Sequence, residues 1–395
     1  MDMAGSLMTF EAFRNALLEA GAWDVRAGDL TGLPAEQRQN MPVGISIAVA
    51  MDLSVINGLG VGMTHAYLAE YSRANLLLDH LARLAAELLQ ESGAAAIAVT
   101  RAAAKEKYAD HSTTLPHKTV ATRAGMGWIG KNAMLVTRGQ GSAVRITSVL
   151  TDAGFHLGEP HDTSLCGDCM QCTNNCPGQA PLGNHWTLTS KREDFFDVLS
   201  CRKYCIENSW RISPGESLCS LCVLVCPWTK RAIEKAGLTH GFPAVQMANR
   251  GDLEEILELQ KAAFSKEAER LQDFSIAPLQ QTIENITEEF SDTRKAMIFL
   301  KIVQERSIVG SVRAYEKDGT CYIGRLVVHP DYQGQGLGKR LMKAIETCYK
   351  GARFELFTRA DNVKNIGFYK SLGYNVYDLR DGTTCVKFAY LEKTS

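Results

Sequence analysis

Residues 166–177 read CGDCMQCTNNCP, and residues 219–227 read CSLCVLVCP. The first segment spaces its thiols as Cys166-x2-Cys169-x2-Cys172-x3-Cys176 and ends on Pro177. The second runs Cys219-x2-Cys222-x3-Cys226, again followed by a proline. Cys201 and Cys205 lie between them, so nine of the twelve cysteines of this 395-residue chain fall within 61 residues. A C-x2-C-x2-C-x3-C-P run is a 4Fe–4S spacing: three thiolates cup one cubane, and the fourth, beside the proline, turns to the other cluster of a pair. That rule assigns Cys166, Cys169, Cys172 and the remote Cys226 to one cluster. The second takes Cys219, Cys222, the remote Cys176 and an eighth ligand, Cys201 or Cys205. Zinc, which favours two separated C-x2-C pairs, and a disulfide framework, which needs an oxidising compartment, match this pattern less well.

The rest of the composition is ordinary for a globular chain: 45% hydrophobic, 22% charged and a net charge of −1. No overall positive field draws it to nucleic acid. The opening MDMAGSLMTF has no basic n-region or apolar core, so no signal peptide is expected. The longest apolar run, 43–51, is far too short to span a membrane. A cytoplasmic location, where thiolates stay reduced, is the expectation. The length suggests two or three domains.

Periodicity places a helix over 9–20, a buried strand over 43–51, a long helix over 66–91 and strands near 95–100 and 144–150. Sheet with helices on its faces is the architecture expected of 1–160. His117-Lys118 precedes a short helix that enters Ala124–Asn132, AGMGWIGKN. Its three glycines leave two readings open: close approach to a ligand, or a tight turn packed on the sheet.

AGMGWIGKN, then Leu150-Thr-Asp152, the cysteine runs, Cys201 three residues before Tyr204, and the pair Pro227-Trp228 together resemble the epoxyqueuosine reductase family over about residues 40–232. The resemblance implies a nitroreductase-like α/β domain that holds cobalamin, with a ferredoxin-like double-cluster insert at 161–232. It implies two 4Fe–4S clusters fed by an external flavodoxin- or ferredoxin-like donor, and removal of an epoxide oxygen from a modified tRNA base. It favours Cys201 as the eighth ligand and leaves Cys205 as an extra thiol. The family's proton-donating aspartate falls on His111, and a histidine still donates near neutral pH; Asp110 is adjacent. His117 and Lys118 are candidate substrate or corrinoid contacts. The family's tRNA-binding helical repeats have no counterpart after the clusters, so tRNA is not the favoured partner.

Residues 233–246 read as a linker, and 247–395 as a separate mixed α/β domain. A helix begins near Leu253, and strands cover 296–303, 308–316 and 320–329, the last two joined by a hairpin at Lys317-Asp318-Gly319. Gln333-Gly334-Gln335-Gly336-Leu337-Gly338 stands between a strand and a helix, where backbone N–H groups and a helix N-terminus favour a phosphate. It lacks both the G-x-G-x-x-G fingerprint and a P-loop lysine.

The form Q-x-x-G-x-G, with LVVHP before it (326–330) and Asn362 through FYKSLGY (368–374) after it, resembles the GNAT acyltransferase family over about 247–391. The resemblance implies acetyl-CoA as cofactor. Val328, Gln333, Gly334, Gln335, Gly336, Leu337, Gly338 and Asn362 are its implied contacts, and Tyr369 the implied acid for the departing thiolate; a core aromatic is the plain alternative for Tyr369. No glutamate stands on the strand before the loop to act as base. The whole reads as a fusion of a reductase half with an N-acetyltransferase half acting on a small-molecule or nucleoside amine. The competing expectation is a non-catalytic cluster half that relays electrons for the acetyltransferase.

Overall fold

The computed structural model describes residues 8–61, 63–100, 112–209, 213, 215–240, 244–292, 295, 297–304, 307–349, 351–382 and 386–394. The chain divides into two compact units: 1–59 with 63–242, and 60–62 with 243–395.

In the first unit, Thr9 caps α1 (Phe10–Glu19) by accepting from the Ala12 N–H, and the helix buries Phe13 and Leu17. Strands β1 (Asp24–Asp29) and β2 (Val43–Ala50) follow, then α2 (Leu53–Gly58), α3 (His65–Glu91) and β3 (Ala96–Val99). After α4 (His117–Arg123) come a two-residue ladder, β4 (Trp128–Ile129) with β5 (Leu135–Val136), and β6 (Val144–Thr151). The sheet order is β1-β2-β6-β3, antiparallel throughout. β2 is buried on both faces, and its period of two explains its apolar run. Val43, Ile45, Ile47 and Val49 join Phe13, Leu17, Leu78, Leu81 and Leu89 in one core. Ala48 joins Ala121, Met126, Leu135 and Val144 in another. Helices therefore cover both sides of the sheet.

The cysteine region adds short helices: α5 (Gln171–Asn174), α6 (Val198–Ser209), α7 (Leu221–Leu224) and α8 (Pro227–Lys235). Pro227 opens α8 at a position where its missing N–H costs nothing. The start of the expected linker at residue 233 thus falls inside α8, which runs to Lys235.

The second unit starts with β7 (Val245–Met247), α9 (Leu253–Leu271), α10 (Ala277–Gln280) and α11 (Ile283–Ser291). β8 (Ile298–Gln304), β9 (Ser307–Lys317) and β10 (Thr320–Val328) form a meander. Then come α12 (Leu337–Cys348), β11 (Arg353–Arg359), α13 (Val363–Lys370), β12 (Asn375–Asp381) and β13 (Lys387–Lys393). The sheet order is β12-β13-β11-β10-β9-β8-β7, with β10–β11 its parallel pair. The hairpin between β9 and β10 has Asp318 at φ 51° and Gly319 at φ 74°, as a type I′ turn requires. Leu341, Met342 and Ile345 of α12 pack on Ile298, Leu300, Val312 and Phe354.

One buried network in this unit sets a large stability expectation. Arg313 on β9 is 5% exposed; it donates to Glu289 at 2.7 Å, to Gln260 at 2.6 Å and to Gln281 at 2.8 Å. Burial lowers its pKa to about 10, and the Glu289 charge works against that fall. Arg313→Ala strands the Gln260 side-chain oxygen, leaves that of Gln281 with its bond from Gln260 at 3.0 Å, and takes the cation from Glu289. Because Glu289 is partly exposed, the loss falls at the low end for a broken buried pair, about 3 kcal/mol. Urea unfolding of the variant measures it; a loss under about 1 kcal/mol, the scale of surface pairs, contradicts the network's role.

Candidate functional sites

Four thiols surround the α5 turn. Burial pushes the Cys172 thiol up to about 12, with Cys166, Cys226 and Cys169 as the next contributors. Cys226 thus comes to this group from far along the chain. The second group forms around α7. Cys222 is raised well above the usual thiol range by burial, then by Cys219, Cys176 and Cys201. Cys176 is pushed up to about 11 by burial, with Cys219 and Cys201 adding to the shift. Cys205 is buried and lies 3.9 Å from the Cys201 sulfur. Hydrogen bonding to Cys201 and Cys219 raises its pKa, and the same bonds lower theirs. Cys205 is therefore hydrogen-bonded between the Cys201 and Cys219 sulfurs. Among the described residues, no three His, Cys, Asp or Glu side chains converge closely enough to hold a single metal ion.

AGMGWIGKN buttresses the first group. A Cβ on Gly125 would collide with the Glu159 carbonyl, and one on Gly127 with the Val136 carbonyl. These two glycines serve the chain's own close packing. A Cβ on Gly130 would stand 3.5 Å from the Cys166 sulfur. Trp128 is fully buried against Val136, Cys226, Cys166 and Trp228. Asn132 donates toward the Cys222 carbonyl at 3.4 Å and so links the loop to the second group. The Tyr67 hydroxyl on α3 bonds the Ser220 hydroxyl, in the turn between Cys219 and Cys222.

His117 and Lys118 sit on the first turn of α4. His117 Nδ1 pairs with the Ser148 hydroxyl at 3.0 Å, and Lys118 donates to the Ala133 carbonyl at 2.6 Å. Both keep some exposed surface, yet the protein around them desolvates their charged forms. Burial lowers His117 to about 4 and Lys118 to about 8. His111, the expected proton donor, and Asp110 lie outside the described residues, as does Cys385.

In the second unit β10 and β11 pair at three positions, Thr320–Tyr322 against Arg353–Glu355. Beyond them β10 runs on to Val328 and β11 to Arg359 unpaired with each other, leaving an open wedge of backbone groups. A bulge shifts the β9–β10 register between Gly324 and Val327, and Arg325 takes φ 52° there. Bulges re-aim the chain beside active sites. The loop after β10 has Gly334 at φ 79° and Gly336 at φ 78°. Both are exposed, with open space where a Cβ would stand. No side chain caps the first turn of α12. Gly338 is glycine for another reason: a Cβ would stand 3.3 Å from the Phe368 ring.

Residues 253–374 match the acetyltransferase (GNAT) family. They are a GNAT-type domain. Solved structures similar to this chain include the PaiA N-acetyltransferase of Thermoplasma acidophilum in complex with coenzyme A (18% identity, TM-score 0.33, 38% of this chain and 98% of that one). Another is the ribosomal-protein-S18-alanine N-acetyltransferase of Escherichia coli (18% identity, TM-score 0.32, 38% and 92%). The N-terminal part is similar to epoxyqueuosine reductases: that of Synechocystis sp. at 29% identity over 188 residues (45% of this chain, 59% of that protein), and that of Xanthomonas campestris pv. campestris at 28% over 220 residues (53% and 58%). The chain thus spans less than two thirds of the length of these curated relatives. It joins an epoxyqueuosine reductase-like part to a GNAT-type domain. No helix among the described residues is long and apolar enough to cross a membrane.

Within the GNAT-type domain, Val328 ends β10, and its carbonyl accepts from the Gln333 side chain at 3.2 Å. Gln335 is exposed on the loop, and Leu337 is buried as the first residue of α12. Asn362 spends its side-chain oxygen on capping α13, accepting from the Asn365 N–H at 3.0 Å. Tyr369 packs edge-on to the Phe368 and Tyr374 rings, and burial pushes its hydroxyl up to about 12. A cavity of about 890 Å³ is lined by Gln281, Asn285, Glu288, Asp292, Lys295 and Arg325. Sequence reasoning did not find this cavity or the bulge that brings Arg325 to it; Gly324 inside a strand was the available signal.

Proposed function

We propose that the chain is a bifunctional enzyme, an iron–sulfur reductase of the epoxyqueuosine reductase type joined to an acetyl-CoA-dependent N-acetyltransferase. The observation that carries the first half is the gathering of eight cysteines into two groups, Cys166/Cys169/Cys172/Cys226 and Cys176/Cys201/Cys219/Cys222. Soft thiolates in fours suit 4Fe–4S clusters. The clusters, when bound, supply one-electron transfer from an external flavodoxin- or ferredoxin-like donor. The chain's own residues fix their turns: Asn132 ties down Cys222, and Tyr67 ties down Ser220.

Cobalamin is the further cofactor of this reading. Its support is the desolvated His117–Lys118 pair on α4, which offers a neutral imidazole and an easily deprotonated amine. His111 would hold the proton delivered to the reduced substrate. A cytoplasmic location suits this density of reduced thiols. Anaerobic reconstitution with iron, sulfide and cobalt analysis, with and without added cobalamin, tests this half. About eight iron atoms per chain with stoichiometric corrinoid is the expected result. Full iron without corrinoid uptake turns this half into an electron relay. Modified tRNA as substrate requires affinity that falls steeply with salt; a flat salt response excludes it.

For the second half, the β10–β11 wedge supports a site for the pantetheine arm, and the Gly334–Gly338 amides with the α12 N-terminus one for the pyrophosphate. The amine acceptor would enter through the cavity at Arg325. Attack on the thioester forms the C–N bond and breaks the C–S bond; Tyr369 gives its proton to the sulfur, and the proton shed by the amine passes to water, which reprotonates Tyr369. At about 12 the Tyr369 hydroxyl stays protonated at neutral pH, as a donor must. Tyr369→Phe should lower kcat for acetyl-CoA turnover against a set of small primary amines by roughly 100-fold, the scale of a lost general acid, and leave acetyl-CoA affinity unchanged. An unaltered kcat makes Tyr369 a core aromatic only.

A further inference from the structure

Among the described residues, three buried polar atoms without a hydrogen-bond partner belong to residues next to the first group of thiols. They are the Trp128 indole Nε1, the Ser164 hydroxyl and the Thr173 hydroxyl. Trp128 is fully buried and packs on Cys166 and Cys226. Ser164 is two residues before Cys166, and Thr173 directly follows Cys172. A buried donor left unsatisfied costs about 1–3 kcal/mol, and the Thr173 side chain is already within hydrogen-bonding reach of the Cys172 thiol. By contrast, the hydroxyl in the second group's turn, Ser220, already bonds Tyr67. A 4Fe–4S cluster carries exposed sulfide and thiolate lone pairs, and hydrogen bonds to its sulfurs help set its reduction potential.

We propose that the Trp128 N–H and the Ser164 and Thr173 hydroxyls donate hydrogen bonds to the sulfurs of the cluster held by Cys166, Cys169, Cys172 and Cys226. Their role is to raise its reduction potential. Each donor stabilises the added negative charge of the reduced state more than the oxidised one. This rests on the reading that those four cysteines hold a cluster. Trp128 and Thr173 are positioning residues for an electron carrier and touch no substrate.

The test uses the full chain, reconstituted anaerobically, with iron and sulfide counted before an EPR-monitored redox titration. Trp128→Phe keeps a ring of similar shape and removes the N–H; Thr173→Val is isosteric and removes the hydroxyl. Both should retain wild-type iron. The midpoint of one cluster should fall, for Trp128→Phe by a factor of about ten in the one-electron equilibrium, which is about 59 mV for n = 1. The other midpoint should stay fixed. Wild-type protein that takes up no iron and sulfide removes the cluster reading itself. Full iron with unmoved midpoints in both variants overturns the hydrogen-bond assignment alone. If Trp128→Phe fails to load, the Thr173→Val midpoint decides: a fall supports the assignment, and no change overturns it.

Discussion

Cys222→Ala should reduce bound iron from about eight atoms per chain to about four, without altering acetyl-CoA affinity. Cys222 stands at the centre of the second thiol group, where burial raises it most, followed by Cys219, Cys176 and Cys201. In the metal-free chain these sulfurs face one another in a poorly solvated pocket, so Cys222 and Cys176 stay protonated. Loading must strip those protons, which makes it more favourable as pH rises. Removing one sulfur leaves three ligands, short of the four a cubane needs. Cys205 is the one nearby thiol able to compensate, since it already bonds Cys201 and Cys219. The double variant Cys205→Ala/Cys222→Ala closes that route. About eight iron atoms retained in the single variant, falling to about four in the double, make Cys205 a substitute ligand. Eight retained in both remove Cys222 from the ligand set. The first group uses none of these sulfurs, and residues 253–374 have their own core. A parallel loss of acetyl-CoA binding therefore means that the two units do not fold independently.

The two thiol groups were legible in the sequence because the C-x2-C-x2-C-x3-C-P spacing brings three thiols to one turn and sends the fourth to another group. α3 was equally legible, since Ala74, Leu78, Leu81 and Ala85 are buried as their 3.6-residue period requires. Other elements left weaker marks. β1, DVRAGD, buries its residues in pairs rather than in alternation, and its Asp24 is held by Arg14 at 3.0 Å and Arg26 at 2.8 Å. β12 is an exposed edge strand of mostly polar residues, so the rule of one buried face gives no signal. The glycines of AGMGWIGKN show the limit of motif reading. Gly125 and Gly127 look like a ligand loop, but it is the carbonyls of Glu159 and Val136 that exclude a Cβ. Which partner comes close is a property of the fold and has no local trace. The two glycines at 334 and 336 look similar in sequence and differ in structure: space around them is open and both have positive φ.

That difference makes Gly336→Asp the sharpest test of the second half. Gly336 sits at φ 78° as the N-cap of α12. A residue with a Cβ is strained there by about 1–2 kcal/mol, but nothing lies within 4 Å for the Cβ to strike. The domain should therefore still fold. An aspartate at this position also suits the helix, because its carboxylate can accept from first-turn N–H groups and meets the positive end of the dipole. Those are the groups proposed to hold the pyrophosphate, so the new carboxylate would occupy the anion site from within and repel the incoming charge. Acetyl-CoA affinity should fall at least 100-fold, about 2.8 kcal/mol at 1.4 kcal/mol per decade, as read by calorimetric titration. Gly336→Ala carries the strain without the charge and should cost tenfold or less. Raising salt should recover part of the loss in the aspartate variant by screening, and none in the alanine variant. Equal losses in the two make loop geometry, rather than an anion site, the function of Gly336. Wild-type affinity in Gly336→Asp places the pyrophosphate elsewhere.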